Sequence, residues 1–361
     1  MIIHDLIKIS SISGKEQKIQ KYIFAYLSKM KLGPFSVGGN VVIKISGHDK
    51  NKALIYNCHV DTVPAGDIAL WKRNPFEGKI VGGDIYGLGA SDEKAAIATL
   101  LLLAKKMTKN QPSCDVWLTF VVNEEIDGSG TKSFVEWFAK SEQKKYKHIA
   151  AVLAEPTDLN KIKLAHKGNI FLKITTHGDG GHGSKPDKIK IHAVKKMYEV
   201  SEIVSKLAIK WAKEYKDELL GVPTVGLLTS ISAGNISSPN KFPDSCVATF
   251  DIRTTPKLHD KVLKLITHAL PGIDVKVAYQ PAPFGYTDKK EAIVKIIQKI
   301  SRAKLSISSG SNDLCFFTSA KIPGIVFGPG NENCIHQPNE YCLLENIDKC
   351  VKIYNKIIES F

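Results

Sequence analysis

The chain has 361 residues, more than one ordinary core accommodates, so two domains are expected. Hydrophobic residues make up 43% and charged residues 24%, which excludes a disordered or fibrous protein. A net charge of +14 raises nucleic-acid binding, but the lysines are dispersed, with short clusters only at 140–147 and 185–196 and no interleaved aromatics. The surplus reads as solvated surface, and nucleic acid is not expected as a partner. Residues 1–8 lack the charged, apolar and small-residue order of a secretory signal. The most apolar stretch, 95–104, is about half the ~20 residues a membrane span needs. A cytoplasmic location without membrane partners is the expectation. The seven cysteines are scattered with no CxxC pair, which argues against a disulfide framework or zinc knuckle.

In chain order, 14–30 reads as an amphipathic helix, 41–45 and 53–58 as strands, and 93–107 as an Ala- and Leu-rich helix. The short apolar runs 116–122 and 149–154 suit strands buried on both faces. This alternation predicts a mostly parallel α/β sheet. From about 166 to 279 the pattern changes to strand (170–176), helix (189–213), strands (222–232 and 246–253), helix (257–270) and strand (274–277). That order is the ferredoxin-like split βαβ unit. The α/β rhythm then resumes with a helix at 291–302, a strand at 325–327 and a helix at 344–358. The expected fold class is therefore α/β: a catalytic domain in two segments, 1–165 and 280–361, interrupted by an inserted α+β domain at 166–279.

In open α/β sheets, ligands gather beyond the carboxyl ends of the strands. His59-Val60-Asp61 follows the second strand, Glu124-Glu125 the 116–122 run and Glu155 the 149–154 run, while Asp92 lies in the Gly87-Leu88-Gly89-Ala90-Ser91 loop. Each is weak alone: a His-x-Asp is common by chance, and paired glutamates often mark a solvated edge. Gly87-x-Gly89 lacks the third glycine of a dinucleotide loop, and 178–185 lacks the Gly-Lys-Ser/Thr order of a phosphate loop. Jointly, acidic and imidazole groups at separate strand ends point to two-metal hydrolysis. Two dications ~3.5–4 Å apart need a bridging carboxylate and further anionic ligands, and they activate water near neutral pH. A free carboxylate must then carry the water's proton to the leaving amine. Neighbouring side chains diverge at a strand end, so one of Glu124 and Glu125 can ligate while the other acts as base.

His59-Val60-Asp61-Thr62-Val63-Pro64, Tyr86-Gly87-Leu88-Gly89-Ala90-Ser91-Asp92-Glu93-Lys94, Glu124-Glu125, Ala154-Glu155-Pro156-Thr157 and Ile335-His336 resemble the co-catalytic metallopeptidase family. Its members include acetylornithine deacetylase, succinyl-diaminopimelate desuccinylase, aminoacylase and glutamate carboxypeptidase. The resemblance spans nearly the whole chain. It implies that Asp92 bridges two metals, with His59 and Glu155 completing one site and Glu125 and His336 the other. It further implies that Asp61 orients His59 through the other ring nitrogen, that Glu124 is general base and then acid, and that the peptide bond after Asp92 is cis. Zinc is the expected metal, with cobalt or manganese as alternatives. In the inserted domain, Gly181-His182-Gly183-Ser184 resembles the family's lid, whose histidine stabilises the oxyanion, often in the partner subunit. Asn240 and Arg253 resemble groups that hold a substrate carboxylate. Gly310-Ser311-Asn312-Asp313 and Gly328-Pro329-Gly330 resemble substrate loops. Glu93 and 309–314 depart from the forms of any single deacylase, and 331–334 is unusual. His166 is a weaker alternative ligand, read as a domain-junction residue.

The expected activity is hydrolysis of a linear amide bond: removal of an acetyl or succinyl group from an amino acid such as ornithine or diaminopimelate. Glu at 155 favours this, since deacylases and carboxypeptidases of the family tend to carry it. The alternative on the same centre is a di- or tripeptidase or carboxypeptidase. A metal-free binding protein that keeps the fold is the remaining class. The expected partners are a small N-acyl amino acid or short peptide and a second copy of the chain, joined through the inserted domain.

Overall fold

The computed structural model describes residues 1–279 and 281–361. The first segment contributes helices α1 (Ile2–Ile7), α2 (Gln17–Lys29), α3 (Ala95–Met107) and α4 (Ser129–Ser141). Its strands are β1 (Phe35–Val37), β2 (Asn40–Ile45), β3 (Asp49–His59), β4 (Cys114–Val121), β5 (His148–Leu153) and β6 (Lys161–Lys163). The middle contributes β7 (Gly168–His177), α5 (Ala193–Glu214), β8 (Thr224–Ala233), β9 (Ser245–Thr254), α6 (Val262–Ala269) and β10 (Asp274–Val277). The last segment adds α7 (Ala292–Ser301), β11 (Lys304–Ser306), α8 (Leu314–Ser319), β12 (Gly324–Val326) and α9 (Leu344–Ser360).

Two compact units result: 1–165 with 285–308 and 312–361, and 166–284 with 309–311. The first is built on an eight-stranded sheet in the order β1-β2-β4-β3-β5-β12-β6-β11. Its four central strands, β4, β3, β5 and β12, are mutually parallel, and antiparallel strands flank them. All eight residues of β4 are buried, as expected for a strand covered on both faces. One face packs Ile55, Trp117, Leu153 and Val326 against Phe134 and Phe138 of α4 and Phe317 of α8. On the other, α3 packs against α9, and Tyr56 donates to the Tyr354 carbonyl at 3.0 Å. Burying each such aromatic or aliphatic side chain contributes roughly 1.5–3 kcal/mol.

The second unit is a four-stranded antiparallel sheet in the order β8-β9-β7-β10, the arrangement of a split βαβ unit. Strand β9 alternates strictly between buried and partly exposed positions, because helices cover only one face. Phe250 and Ile252 of that strand pack with Met197, Val204 and Trp211 of α5 and Ile266 of α6. Strand β8 is an exposed edge.

Several elements depart from the sequence expectation, three of them next to residues that matter for the site or its domain. The helix expected from residue 93 begins at Ala95, because Asp92 and Glu93 adopt non-helical dihedrals and share a cis peptide bond. The helix expected from 189 begins at Ala193, where the His192 side chain accepts from the Lys195 N–H as an N-cap. Helix α4 was not anticipated. Among the described residues, no helix is long and apolar enough to cross a membrane.

Candidate metal centre

The parallel strands β3, β4 and β5 deliver the acidic and imidazole groups to one rim of the first unit. His59 is the last residue of β3, Glu124-Glu125 follow β4 and Glu155 follows β5. The next residue's N–H, that of Val60, bonds to the Val121 carbonyl at 2.8 Å, so the β3 and β4 ends are held in step. Asp61 is fully buried and ties three segments together. Its Oδ1 accepts from the Glu124 N–H (3.1 Å), and its Oδ2 accepts from the Glu125 N–H (3.1 Å) and the Ser13 hydroxyl (2.8 Å). Burial opposes its charge, but the neighbouring His59, Ser13 and Glu125 donors hold the carboxyl below its ordinary range.

The loop carrying Asp92 is set by a residue the sequence did not single out. Glu340, only 2% exposed, accepts from the backbone N–H groups of Gly89 (2.8 Å), Ser91 (2.7 Å) and Asp92 (2.9 Å). Burial and then the Asp92 charge push its carboxyl up to about 7, against the pull of those donors. The Ser91 hydroxyl donates to the Tyr341 carbonyl (2.6 Å) and accepts from the Asn331 N–H (2.8 Å). Gly328 and Gly330 are glycines for a steric reason. A Cβ on Gly328 would lie 1.8 Å from the Ala154 carbonyl oxygen, and one on Gly330 would lie 2.2 Å from that of Ser91. The Gly328-Pro329-Gly330 segment therefore packs directly against the loops bearing Glu155 and Asp92. No spacing rule distinguishes Glu340 in sequence; it is one acidic residue in a polar stretch.

The geometry at the rim is specific. His59 Nε2 lies 2.9 Å from Asp92 Oδ1, 3.5 Å from Glu93 Oε2 and 4.0 Å from Glu155 Oε1. His336 Nε2 lies 2.8 Å from Glu125 Oε1 and 3.4 Å from Asp92 Oδ2. The two oxygens of one carboxylate thus face two different histidines. Among the described residues, two overlapping groups could hold a cation, His59 with Glu124 and Glu155, and His59 with Asp92 and Glu125, all ligand atoms in each lying within 4.8 Å of one another. His59 Nδ1 is 3.0 Å from the Asp61 carbonyl oxygen and 3.5 Å from its Oδ1. A carbonyl only accepts, so Nδ1 carries the proton and Nε2 is the nitrogen left for a cation.

The electrostatics agree with a cation site. Burial pushes Glu155 up to about 8, although His59 pulls it down. Despite burial, Glu93, Asp61 and Asp92 hold His59 well above its ordinary value. Asp313 is buried nearby, accepts from the Thr131 hydroxyl at 2.5 Å and is raised to about 7 by burial. Like-charged groups packed this closely repel unless positive charge sits among them. At this rim the buried Glu93 Oε1 has no hydrogen-bond partner among the described residues. Mixed imidazole and carboxylate donors of this number fit divalent metal ions such as zinc.

The remaining sequence-identified residues lie in the second unit. His182 is exposed, and its Nδ1 accepts from the Ser184 N–H (3.2 Å) and faces the Ser184 hydroxyl (2.8 Å). In the neutral ring this leaves Nε2–H as the free donor. Asn240 adjoins it, its carbonyl accepting from the Gly183 N–H at 2.6 Å. Arg253 pairs with Asp251 through Nε (2.9 Å) and Nη2 (3.0 Å). Gly310 and Ser311 cluster with this unit, Ser311 donating to the Lys167 carbonyl at 3.3 Å. His166 is buried beside that same carbonyl, 3.0 Å from its Nδ1.

The fold and this rim of histidines and carboxylates define a metallohydrolase. Residues 55–360 match the model of peptidase family M20/M25/M40, and the chain belongs to that family. It is 27% identical to an acetylornithine deacetylase of Buchnera aphidicola subsp. Acyrthosiphon pisum (strain Tuc7), over 86% of this chain and 81% of that one. It is 31% identical to a succinyl-diaminopimelate desuccinylase of Wolbachia pipientis wMel, over 85% of this chain and 78% of that one. Among solved structures, a tripeptidase from Staphylococcus aureus subsp. aureus Mu50 superposes with a TM-score of 0.76 at 19% identity, covering 99% of this chain and 96% of that one. A dinuclear metal-binding peptidase of the M20 family from Bacillus subtilis gives 0.71 at 17% identity, over 100% and 97%.

Proposed function

We propose that the protein is a two-metal amidohydrolase that removes an acetyl or succinyl group from the nitrogen of an amino acid such as ornithine or diaminopimelate. The observation that carries the two-metal reading is Asp92, whose Oδ1 and Oδ2 face His59 and His336 separately. In this reading His59 and Glu155 would hold one ion, Glu125 and His336 the other, and Asp92 would be shared between them. Bound dications, zinc in the first instance, would polarise the scissile carbonyl and make water more acidic.

The chain's own residues then perform the proton chemistry. Glu124 takes a proton from water as its oxygen bonds to the carbonyl carbon, and returns that proton to the leaving nitrogen as the C–N bond breaks. Asp61 positions Glu124 and Glu125 through their backbone N–H groups and orients His59. His182 Nε2–H donates to the developing oxyanion, with its tautomer set by Ser184. Asn240 and Arg253 bind the substrate carboxylate, and Gly310 and Ser311 line the substrate. The guanidinium has five donors, of which one, on Nη2, is hydrogen-bonded to Asp251, so Arg253 has capacity left for a second carboxylate.

The names of the relatives support deacylation, as does Glu at 155. The name of the staphylococcal neighbour supports a second reading, a di- or tripeptidase on the same centre. Assaying N-acetylornithine, N-succinyl-diaminopimelate and a set of dipeptides separates them. Release of acetate or succinate is expected; peptide turnover without any deacylation would refute the first reading. A homodimer formed through the second unit is also proposed, supported by the long exposed edge strand β8. Light scattering is expected to give the mass of two chains, and a fully active monomer would rule out use of His182 across a dimer.

A further inference from the structure

Glu93 is the unusual residue of this centre. Its side chain is 1% exposed, and it follows Asp92 directly. Oε2 accepts from the His59 backbone N–H at 2.7 Å and lies 3.5 Å from the same residue's Nε2, the nitrogen left for a cation. Oε1 is buried with no hydrogen-bond partner among the described residues. Among the described residues its ionic partner is His59, and the adjacent Lys94 is directed elsewhere, its Nζ donating to the Ile9 carbonyl at 2.9 Å. Burying a carboxylate without full compensation is costly, and the cost persists only where something offsets it. A carboxylate placed for packing alone would not set one oxygen 3.5 Å from a ligand nitrogen and leave the other without a hydrogen bond among the described residues.

We propose that Glu93 contributes a further carboxylate to the cation position on the His59–Glu155 side and raises the affinity of that position for a divalent metal. The proposal rests on the ligand assignment above. Three carboxylates, from Asp92, Glu93 and Glu155, converge within 4.0 Å of His59 Nε2, whereas His336 Nε2 meets those of Glu125 and Asp92. The two sides of the centre therefore differ in negative charge and in exposure, since the His336 side chain is 47% exposed and that of His59 is 1%. Glu93 acts through charge on the ion, and through the backbone of the residue that binds it.

The test uses full-length protein stripped of metal and titrated with Co²⁺ against a competing chelator, reading the visible cobalt absorbance. Two backgrounds isolate the sides: His336→Ala retains His59 and Glu155, and Glu155→Ala retains Glu125 and His336. Glu93→Gln keeps the size and an oxygen for the His59 N–H but removes the charge. It is expected to weaken Co²⁺ binding about 10–100-fold in the His336→Ala background and to leave the Glu155→Ala background unchanged. The metal-free Glu93→Gln protein is expected to melt at or above the wild-type temperature, because an uncompensated buried carboxylate has been neutralised. Unchanged affinity in the His336→Ala background overturns the proposal and leaves the ligand assignment standing. A lower melting temperature with unchanged affinity overturns it in favour of a purely structural role. If wild-type protein fails to bind two Co²⁺ ions, the ligand assignment and this proposal fall together.

Discussion

Glu124→Gln is expected to lower kcat by ~10²–10⁴-fold, the usual range for losing a general acid–base, with the metal content unchanged. At 1.36 kcal/mol per decade this is about 3–5 kcal/mol of transition-state stabilisation. The physical basis is local. Asp61 holds the Glu124 backbone, so a glutamine of the same size keeps its place but cannot accept a proton from water. Burial, and then the Glu155 charge, raise the Glu124 carboxyl well above its ordinary value. A group that moves a proton in both directions at neutral pH benefits from that shift. Because a Glu124 oxygen lies within 4.8 Å of ligand atoms of His59 and Glu155, the variant also tests a rival role as a ligand. Elemental analysis by mass spectrometry separates the two: a base leaves both ions bound, a ligand loses one. Full activity would refute the base assignment.

Asp92→Asn is expected to weaken both metal positions by more than ~100-fold, beyond the ~10–100-fold typical of an outer-shell partner. An amide offers one oxygen and an N–H₂ donor, so it cannot bridge two cations as a carboxylate does. Burial opposes the Asp92 charge, but hydrogen bonds from His336 and His59 hold the carboxyl far below its ordinary range, so it is anionic across the physiological pH range. Two melting curves check the assignment. Wild-type protein should gain about 2.7 kcal/mol of stability for each ion bound at a metal concentration 100 times that site's Kd, and the variant should gain little at the same concentration. Without metal the variant should be less stable than wild type, since it loses a carboxylate whose charge the hydrogen bonds from His336 and His59 favour in the fold. Wild-type stabilisation by metal in Asp92→Asn would remove the bridge from the reading.

Much of the fold was legible in the residues because it rests on local periodicity. The apolar runs that became β4 and β5, and the strand–helix–strand–strand–helix–strand order of the second unit, follow from patterns of a few residues each. Of the three-residue members of the large sheet, β1, β6 and β11 were not legible, since a run that short carries no period, and β12 was read only from its apolar composition. Nor were α4 and α8, whose helical signal is weak without the sheet face that buries Phe134, Phe138 and Phe317.

The same division runs through the candidate site. By itself the sequence brought the chemistry into reach, because His59, Glu124, Glu125 and Glu155 follow apolar strand-like runs and Asp92 lies in a glycine-rich loop, whereas His336 rested on the family resemblance alone. Those are properties of single residues and their immediate neighbours. Only the tertiary structure decided that the two oxygens of Asp92 face different histidines and that Glu340 holds the Gly89–Asp92 backbone from 248 or more positions away. It also decided that Arg253 is already paired with Asp251, and that Glu93 ends with an oxygen that none of the described residues satisfies. These are contacts between side chains and distant backbone. Their geometry depends on how the strands pair and the loops pack, and no local pattern encodes it.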